Sequence, residues 1–215
     1  MKIPVDWTFE SADVAEHFDA HVREQLPWYD LATGMVAHIA RHYVTDHGLI
    51  YDIGASTGNI GTAMQATIRA RHARLIAIES STHMAEHYTG PGELMVADAR
   101  DVSFEPFDVA VAFLVFMFLP VPDRLTLLAE LQAVVKPGGA IVIVDKQEQP
   151  GGYLGTILHR VTLAGKVATG TSSEEIVAKE LSLQGVQRPL SPDFPPHALE
   201  VFRFGEFVGW VVESG

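Results

Sequence analysis

The spacing of hydrophobic positions changes at residue 49. Before it, Val14, Phe18 and Val22 recur at helical spacing, and so do Leu31, Met35, Val36, Ile39 and Tyr43. Pro27 lies between the two sets and separates two predicted helices, because proline lacks the N–H that a helix interior needs. From Leu49 onward, short apolar runs alternate with helical patterns. Strands are predicted at 49–53, 74–79, 93–98, 108–114 and 140–145. Helices are predicted from Asn59 to about Arg71, near Thr82 to Tyr88, and after Asp123, which can cap a helix with Leu125, Leu128, Leu131 and Val135 on one face. Lys136-Pro-Gly-Gly139 should stop that helix. Beyond residue 150 the pattern predicts a helix from Leu154 to Val167 and another opened by Ser172. Two late strands follow at 199–204 and 207–212, with Gly205 at the corner between them.

Continuous apolar strands separated by helices imply a parallel sheet covered on both faces. The fold class is therefore α/β. The 215 residues suit one domain, and a chain this long can bury roughly 70% of its unfolded surface. Within it, residues 1–48 are expected as helices that help cover the site, and 49–215 as the α/β unit.

Composition narrows the chemistry. With no cysteine, zinc–thiolate sites, iron–sulfur clusters, thiol nucleophiles and disulfides are excluded, and a cytoplasmic location is expected. A formal net charge of −12 disfavours non-specific nucleic-acid binding. The first residues carry acids and no long apolar run, so no signal peptide is expected. The most apolar stretch, Val109 to Val121, is 13 residues long, too short to span a bilayer, so no membrane association is expected.

The first strand ends in Asp52-Ile-Gly54-Ala55-Ser56-Thr-Gly58-Asn59-Ile-Gly61. Glycines there permit positive φ and close approach of a ligand, and the following helix N-terminus offers free N–H groups. The dinucleotide spacing G-x-G-x-x-G fails from either Gly54 or Gly58, which argues against a nicotinamide dehydrogenase. The loop is closer to a D/E-x-G-x-G-x-G pattern with Ser56 at the middle glycine. Glu79 ends the second strand, where a carboxylate can accept from ribose hydroxyls, and Asp98 ends the third, where one can accept from an adenine amino group. Gly54-Ala-Ser56-Thr-Gly58 also reads as G-x-S-x-G, but a nucleophile elbow belongs late in a sheet, not on its first strand. The pairs His17/His21, His38/His42 and His83/His87 have metal-ligand spacing without a third ligand; exposed helix surface is the default, and no metal is expected. His159, Tyr153 and Asp145 are the formal candidates for a base, none of them compelling.

These residues resemble the class I S-adenosylmethionine-dependent methyltransferases, and within them the carboxy-S-adenosylmethionine synthases. Asp6-Trp-Thr-Phe9, Pro27-Trp-Tyr29, the loop at 52–58, Leu75-Ile-Ala-Ile-Glu79, Pro137-Gly-Gly139 and Gly170-Thr-Ser172 with Lys179 carry the resemblance. It implies a Rossmann-like, mostly parallel seven-stranded sheet with helices on both faces and an antiparallel last strand. It implies S-adenosylmethionine as cofactor and S-adenosylhomocysteine as product. The implied contacts are Tyr29, Asp52, Gly54, Ala55, Ser56, Gly58, Asn59, Glu79, Ser80, Met84, Asp98, Ala99 and Phe113. Two substitutions depart from the synthases: Glu180 where an arginine grips a carboxylate, and Phe113 where an asparagine is usual. The segment between Val186 and Ala198 is also shorter. A carboxylate facing a carboxylate is repulsive. Ordinary methyl transfer to a small-molecule or protein acceptor is therefore expected, ahead of prephenate-dependent carboxy-cofactor synthesis or a silent binding module. A homodimer is one assembly open to the chain.

Overall fold

The computed structural model describes residues 3–149 and 151–215. Two helices lead the chain, α1 (Ala12–Gln25) and α2 (Tyr29–Ala40). Ser11 caps α1 by accepting from the Val14 N–H, and Pro27 falls in the gap between them. Seven strands follow: β1 (Leu49–Ile53), β2 (Arg74–Glu79), β3 (Glu93–Val96), β4 (Phe107–Phe113), β5 (Val135–Lys146), β6 (Leu199–Phe204) and β7 (Phe207–Glu213). They form one sheet in the order β3-β2-β1-β4-β5-β7-β6. The pairs from β3 through β5 are parallel, and β7 runs antiparallel to both neighbours.

Strand order reverses between β1 and β4, which opens a crevice at their carboxyl ends. The remaining helices are α3 (Asn59–Ala70), α4 (Thr82–Glu86), α5 (Val121–Val134), α6 (Tyr153–Ala168) and α7 (Ser173–Ser182). β1 is buried on both faces: Ile50 packs with Val36, Ala40 and Met64 of α2 and α3, while Leu49, Tyr51 and Ile53 pack with Leu127, Leu128 and Leu131 of α5. This two-sided burial is why the strand reads as an unbroken apolar run. A third cluster joins Trp7, Val14 and Leu183, with Phe9 and Phe118 against it. The Trp7 N–H donates to Ser182 O at 2.9 Å, tying the N-terminal segment to the end of α7.

Some expected boundaries move. The helix expected behind Asp123 starts at Val121 with Pro120 as its cap residue, so Asp123 lies in the first turn instead. Its expected face is also rotated: Leu125 is exposed, and Leu127 is buried beside Leu128 and Leu131. Lys136-Pro-Gly-Gly139 does follow the helix end, but it already belongs to β5, at the irregularity where Val135 pairs Phe107 and Ala140 pairs Val109. β3 stops at Val96, so Asp98 lies beyond the strand and caps a short turn by accepting from the Arg100 N–H.

The far end of β4 is anchored by Asp108. Its buried carboxylate accepts from the Leu49 N–H at 2.6 Å, the Thr45 hydroxyl at 2.7 Å and Lys136 Nζ at 3.1 Å. Burial alone would raise its pKa; these donors outweigh it and hold the group below the ordinary value. A folded pKa below the unfolded one contributes stability above the unfolded value and loses it as pH falls through the folded one. Asp108→Ala is expected to lower unfolding free energy by about 3 kcal/mol at neutral pH, because it strands a buried N–H. The difference from wild type should shrink in denaturant titrations below about pH 4; a pH-independent gap would contradict this account.

Candidate functional site

From β1 the chain turns through Gly54 (φ +66°), Ser56 (φ +52°) and Gly58 (φ +94°) into α3. A side chain at Gly54 would place its Cβ 2.6 Å from Val115 Cγ2. Ser56 holds a left-handed conformation that costs a non-glycine residue on the order of 1 kcal/mol. Its N–H donates to Glu79 Oε2 at 2.8 Å, and the Ser81 N–H donates to Glu79 Oε1 at 2.9 Å. One carboxylate thus pins the loop to the end of β2. Burial pushes the Glu79 carboxyl up, against the pull of its backbone donors. Asp52 is fully buried, which raises it to about 7 although the Gly61 N–H donates to it at 3.3 Å.

These residues open onto a cavity of about 560 Å³ at the carboxyl ends of the strands. Asp52, Gly54, Ala55, Ser56 and Asn59 line it from the loop and the start of α3. Glu79, Ser80, Met84 and Asp98 line it from the β2 and β3 side. Tyr29 and Phe113 close it, edge to face at 5.3 Å. Burial drives the Tyr29 phenol upward, so it stays protonated. Asn59 Nδ2 donates to Thr33 Oγ1 at 2.8 Å, linking α3 to α2. Asp98 is already engaged: Arg100 donates to both its oxygens, at 3.0 and 2.7 Å.

The opposite wall comes from α1, α6, α7 and the N-terminal segment. Trp7 and Phe9 face it, with His21 stacked on Trp7 at 5.4 Å. Lys179 Nζ lies over the Trp7 ring. Burial, with Lys166 nearby, lowers Lys179 to about 5. Lys166 Nζ donates to Glu180 Oε1 at 2.9 Å. Four buried side-chain polar atoms among the described residues lack a partner, and three belong to residues lining this cavity: Ser56 Oγ, His21 Nε2 and Gln25 Oε1. Native interiors rarely leave such atoms unpaired, so they point to a polar ligand here.

A family described as a methyltransferase domain matches residues 50–139. The chain is 30% identical over 190 residues to the carboxy-S-adenosyl-L-methionine synthase of Salmonella paratyphi B, covering 84% of this chain and 76% of that protein. It is 27% identical over 212 residues to the synthase of the same name from Staphylococcus epidermidis, covering 96% and 92%. The chain belongs to the class I S-adenosylmethionine-dependent methyltransferases. Its fold is also that of the solved structure titled DhpI-SAH complex, with a TM-score of 0.62, 15% identity and coverage of 95% and 93%.

Of the expected contact residues in this methyltransferase, two do not line the cavity. Gly58 caps α3 with its backbone against Gly90, and Ala99 packs into the core under the β3 turn. The formal bases also fall elsewhere. Tyr153 is exposed, His159 pairs at the surface with Glu206 at 3.3 Å, and Asp145 is buried near the end of β5, accepting from the Met117 and Lys146 N–H groups. His21 was expected on exposed helix surface; it is buried, because Trp7 folds over α1. Helical spacing alone does not show which face an N-terminal segment will cover. Glu180 does not stand unpaired either, since Lys166 neutralises it. Away from the cavity, Asp46, His47 and His72 group closely enough to share an ion, all exposed at the opposite end of β1 and β2. No described helix is long and apolar enough to cross a membrane.

Proposed function

We propose that the cavity binds S-adenosylmethionine and that the enzyme transfers its methyl group to a small-molecule acceptor. The observation that carries this reading is the joint placement of Glu79, the glycine loop and the unpaired Ser56 hydroxyl on one cavity wall. Glu79 would accept from the ribose hydroxyls and Ser56 would satisfy its hydroxyl on the ligand. Asp52 would face the ligand's ammonium, and Tyr29 and Phe113 would cover it. Asp98 would serve the adenine edge with whatever acceptor capacity Arg100 leaves it. Gly58 and Ala99 would act through the backbone shape they impose. When bound, the sulfonium supplies an activated methyl carbon, and the chain's share is position and exclusion of water, which can be worth roughly 7–11 kcal/mol. The acidic chain and a cavity of about 560 Å³ favour a small acceptor over a nucleic acid. A cytoplasmic location suits a cysteine-free enzyme.

Calorimetry with S-adenosylmethionine and its carboxymethyl analogue tests the reading. Micromolar binding of the former, without preference for the analogue, is expected; a clear preference for the analogue would overturn it. One observation favours that second reading, a carboxy-cofactor synthase as in the relatives: Lys179 lines the cavity with its pKa depressed by burial, and a ligand carboxylate beside it would restore its charge. Turnover of prephenate with S-adenosylmethionine would establish it.

Asp52 adds a pH signature. Its folded pKa, about 7, lies above the ordinary value, so the free protein holds a proton there below neutrality. Pairing with a ligand ammonium requires that proton to leave. Affinity for S-adenosylmethionine should therefore rise up to about tenfold between roughly pH 6 and pH 8, with proton release that depends on buffer ionisation enthalpy. Asp52→Asn should flatten the dependence; a wild-type affinity independent of pH would refute the assignment.

A further inference from the structure

The wall opposite the glycine loop has its own unexplained chemistry. His21 and Gln25 stand one helical turn apart on α1, both buried, and each leaves a polar atom without a partner. Both residues line the cavity. Neither is needed for the expected contacts of the sulfonium ligand, which come from the loop, β2 and Tyr29. Around them the surface is aromatic: Trp7 stacks on His21, Phe9 meets Trp7 edge-on at 6.0 Å, and Phe118 meets Phe9 edge-on at 5.1 Å. All three rings line the same cavity.

From this juxtaposition we propose that His21 and Gln25 form the acceptor subsite, that the acceptor is a small aromatic molecule carrying a phenol-type hydroxyl, and that His21 Nε2 takes the hydroxyl proton. This rests on the methyl-transfer reading above. Gln25 Oε1 is an acceptor only, so it calls for a donor of its own on the ligand, and a second hydroxyl beside the reacting one, as in a catechol, supplies it. An aromatic body matches the Trp7–Phe9–Phe118 wall. In the transfer, an oxygen lone pair forms the bond to the sulfonium methyl carbon, the carbon–sulfur pair stays on sulfur, and the oxygen's proton moves to Nε2. One positive charge disappears at sulfur as one appears on the imidazole, so the buried site keeps its net charge.

The groups facing His21 agree with a neutral resting imidazole. Burial is the main cause that lowers it, to about 4, with Lys179 of α7 and Lys166 of α6 adding to it and Glu175 of α7 opposing. Lys179 is itself depressed, so at neutral pH it carries little charge and burial does most of the work. Nε2 has a lone pair and no partner, and it gains the proton only as the positive charge leaves sulfur, because burial disfavours a lone imidazolium.

The test uses the full-length protein saturated with S-adenosylhomocysteine and labelled at histidine nitrogens. His21 should be neutral from about pH 6 to pH 8, with its Nε2 resonance shifted on adding phenol, catechol or 4-hydroxybenzoate. His21→Gln should keep the affinity for S-adenosylmethionine within about threefold and lose those probe-dependent shifts. With whichever probe is methylated, it should lose about 100-fold or more in kcat and gain rate with rising pH where wild type is flat. A charged His21 at neutral pH, or probes that leave its resonance unmoved, would overturn the proposal. Absence of S-adenosylmethionine binding would instead overturn the methyl-transfer reading, and calorimetry separates the two.

Discussion

Gly58→Val is expected to lower the unfolding free energy by about 4 kcal/mol or more, a large part of the 5–15 kcal/mol of a typical domain. Gly58 caps α3 at φ +94°. A side chain there would place its Cβ 2.6 Å from Gly90 Cα and closer still to Gly90 N. Both contacts are backbone, so no rotamer change can relieve them. The Thr89 N–H donates to Thr57 O at 3.0 Å, which keeps the two segments together. Part of the loss is the left-handed φ itself, worth about 1–2 kcal/mol. Gly170 isolates that part: it has φ +93° and nothing within 4 Å of its Cβ position. Gly170→Val should cost only the conformational share. Urea unfolding of the two variants measures the difference, and equal losses would show that close backbone approach is not what selects glycine at position 58.

Glu79→Ala should weaken S-adenosylmethionine binding by about 100-fold or more. Two charge-assisted hydrogen bonds at about 1.5 kcal/mol each would correspond to that factor. The variant also strands the Ser56 and Ser81 N–H groups, so the loop loosens as the ribose partner disappears. Glu79→Gln separates the two effects. It keeps the shape but presents an amide N–H₂ toward one backbone donor, and should fall between wild type and Ala. Asp98→Asn should cost much less, because Asp98 already accepts three donors from Arg100, two of them from its charged guanidinium, whereas Glu79 accepts only backbone N–H groups. Calorimetric titration of the three variants ranks the contacts. A loss at Asp98 equal to that at Glu79 would move the weight of recognition to the β3 side.

Much of the cavity wall proposed for the cofactor was legible in the sequence, because its residues lie at strand ends that the apolar runs mark out. Leu49–Ile53 runs into Gly54, and Arg74–Glu79 ends on an acid, so two walls of the crevice follow from strand prediction and the parallel-sheet rule. Ser56 shows a limit of the motif reading. The residue type departs from glycine, yet the backbone takes the left-handed conformation anyway, held by Glu79 from another strand. Asp98 shows another: a strand-end acid looks free until Arg100 and its second partner Asp123 are placed beside it.

The opposite wall of the cavity was the part that sequence spacing did not locate. His21 belongs to a polar-looking helix, Trp7 to a short N-terminal segment, and Lys166, Lys179 and Glu180 to helices far along the chain. Glu180 looked like a repulsive substitution from its position alone; its pairing with Lys166, 14 residues earlier, removes that repulsion.

The sequence by itself determined the alternation of strand and helix, the α/β class, and the loop with Glu79 at the carboxyl ends of the strands. Those features depend on local periodicity and on glycine backbone freedom, which neighbouring residues specify. Only the tertiary structure decided which charges are paired and which polar atoms are left over. Pairing and desolvation depend on distances between segments far apart in the chain. They turn His21, which looks like helix surface, into a buried imidazole, and Asp98 from an open acceptor into an engaged one.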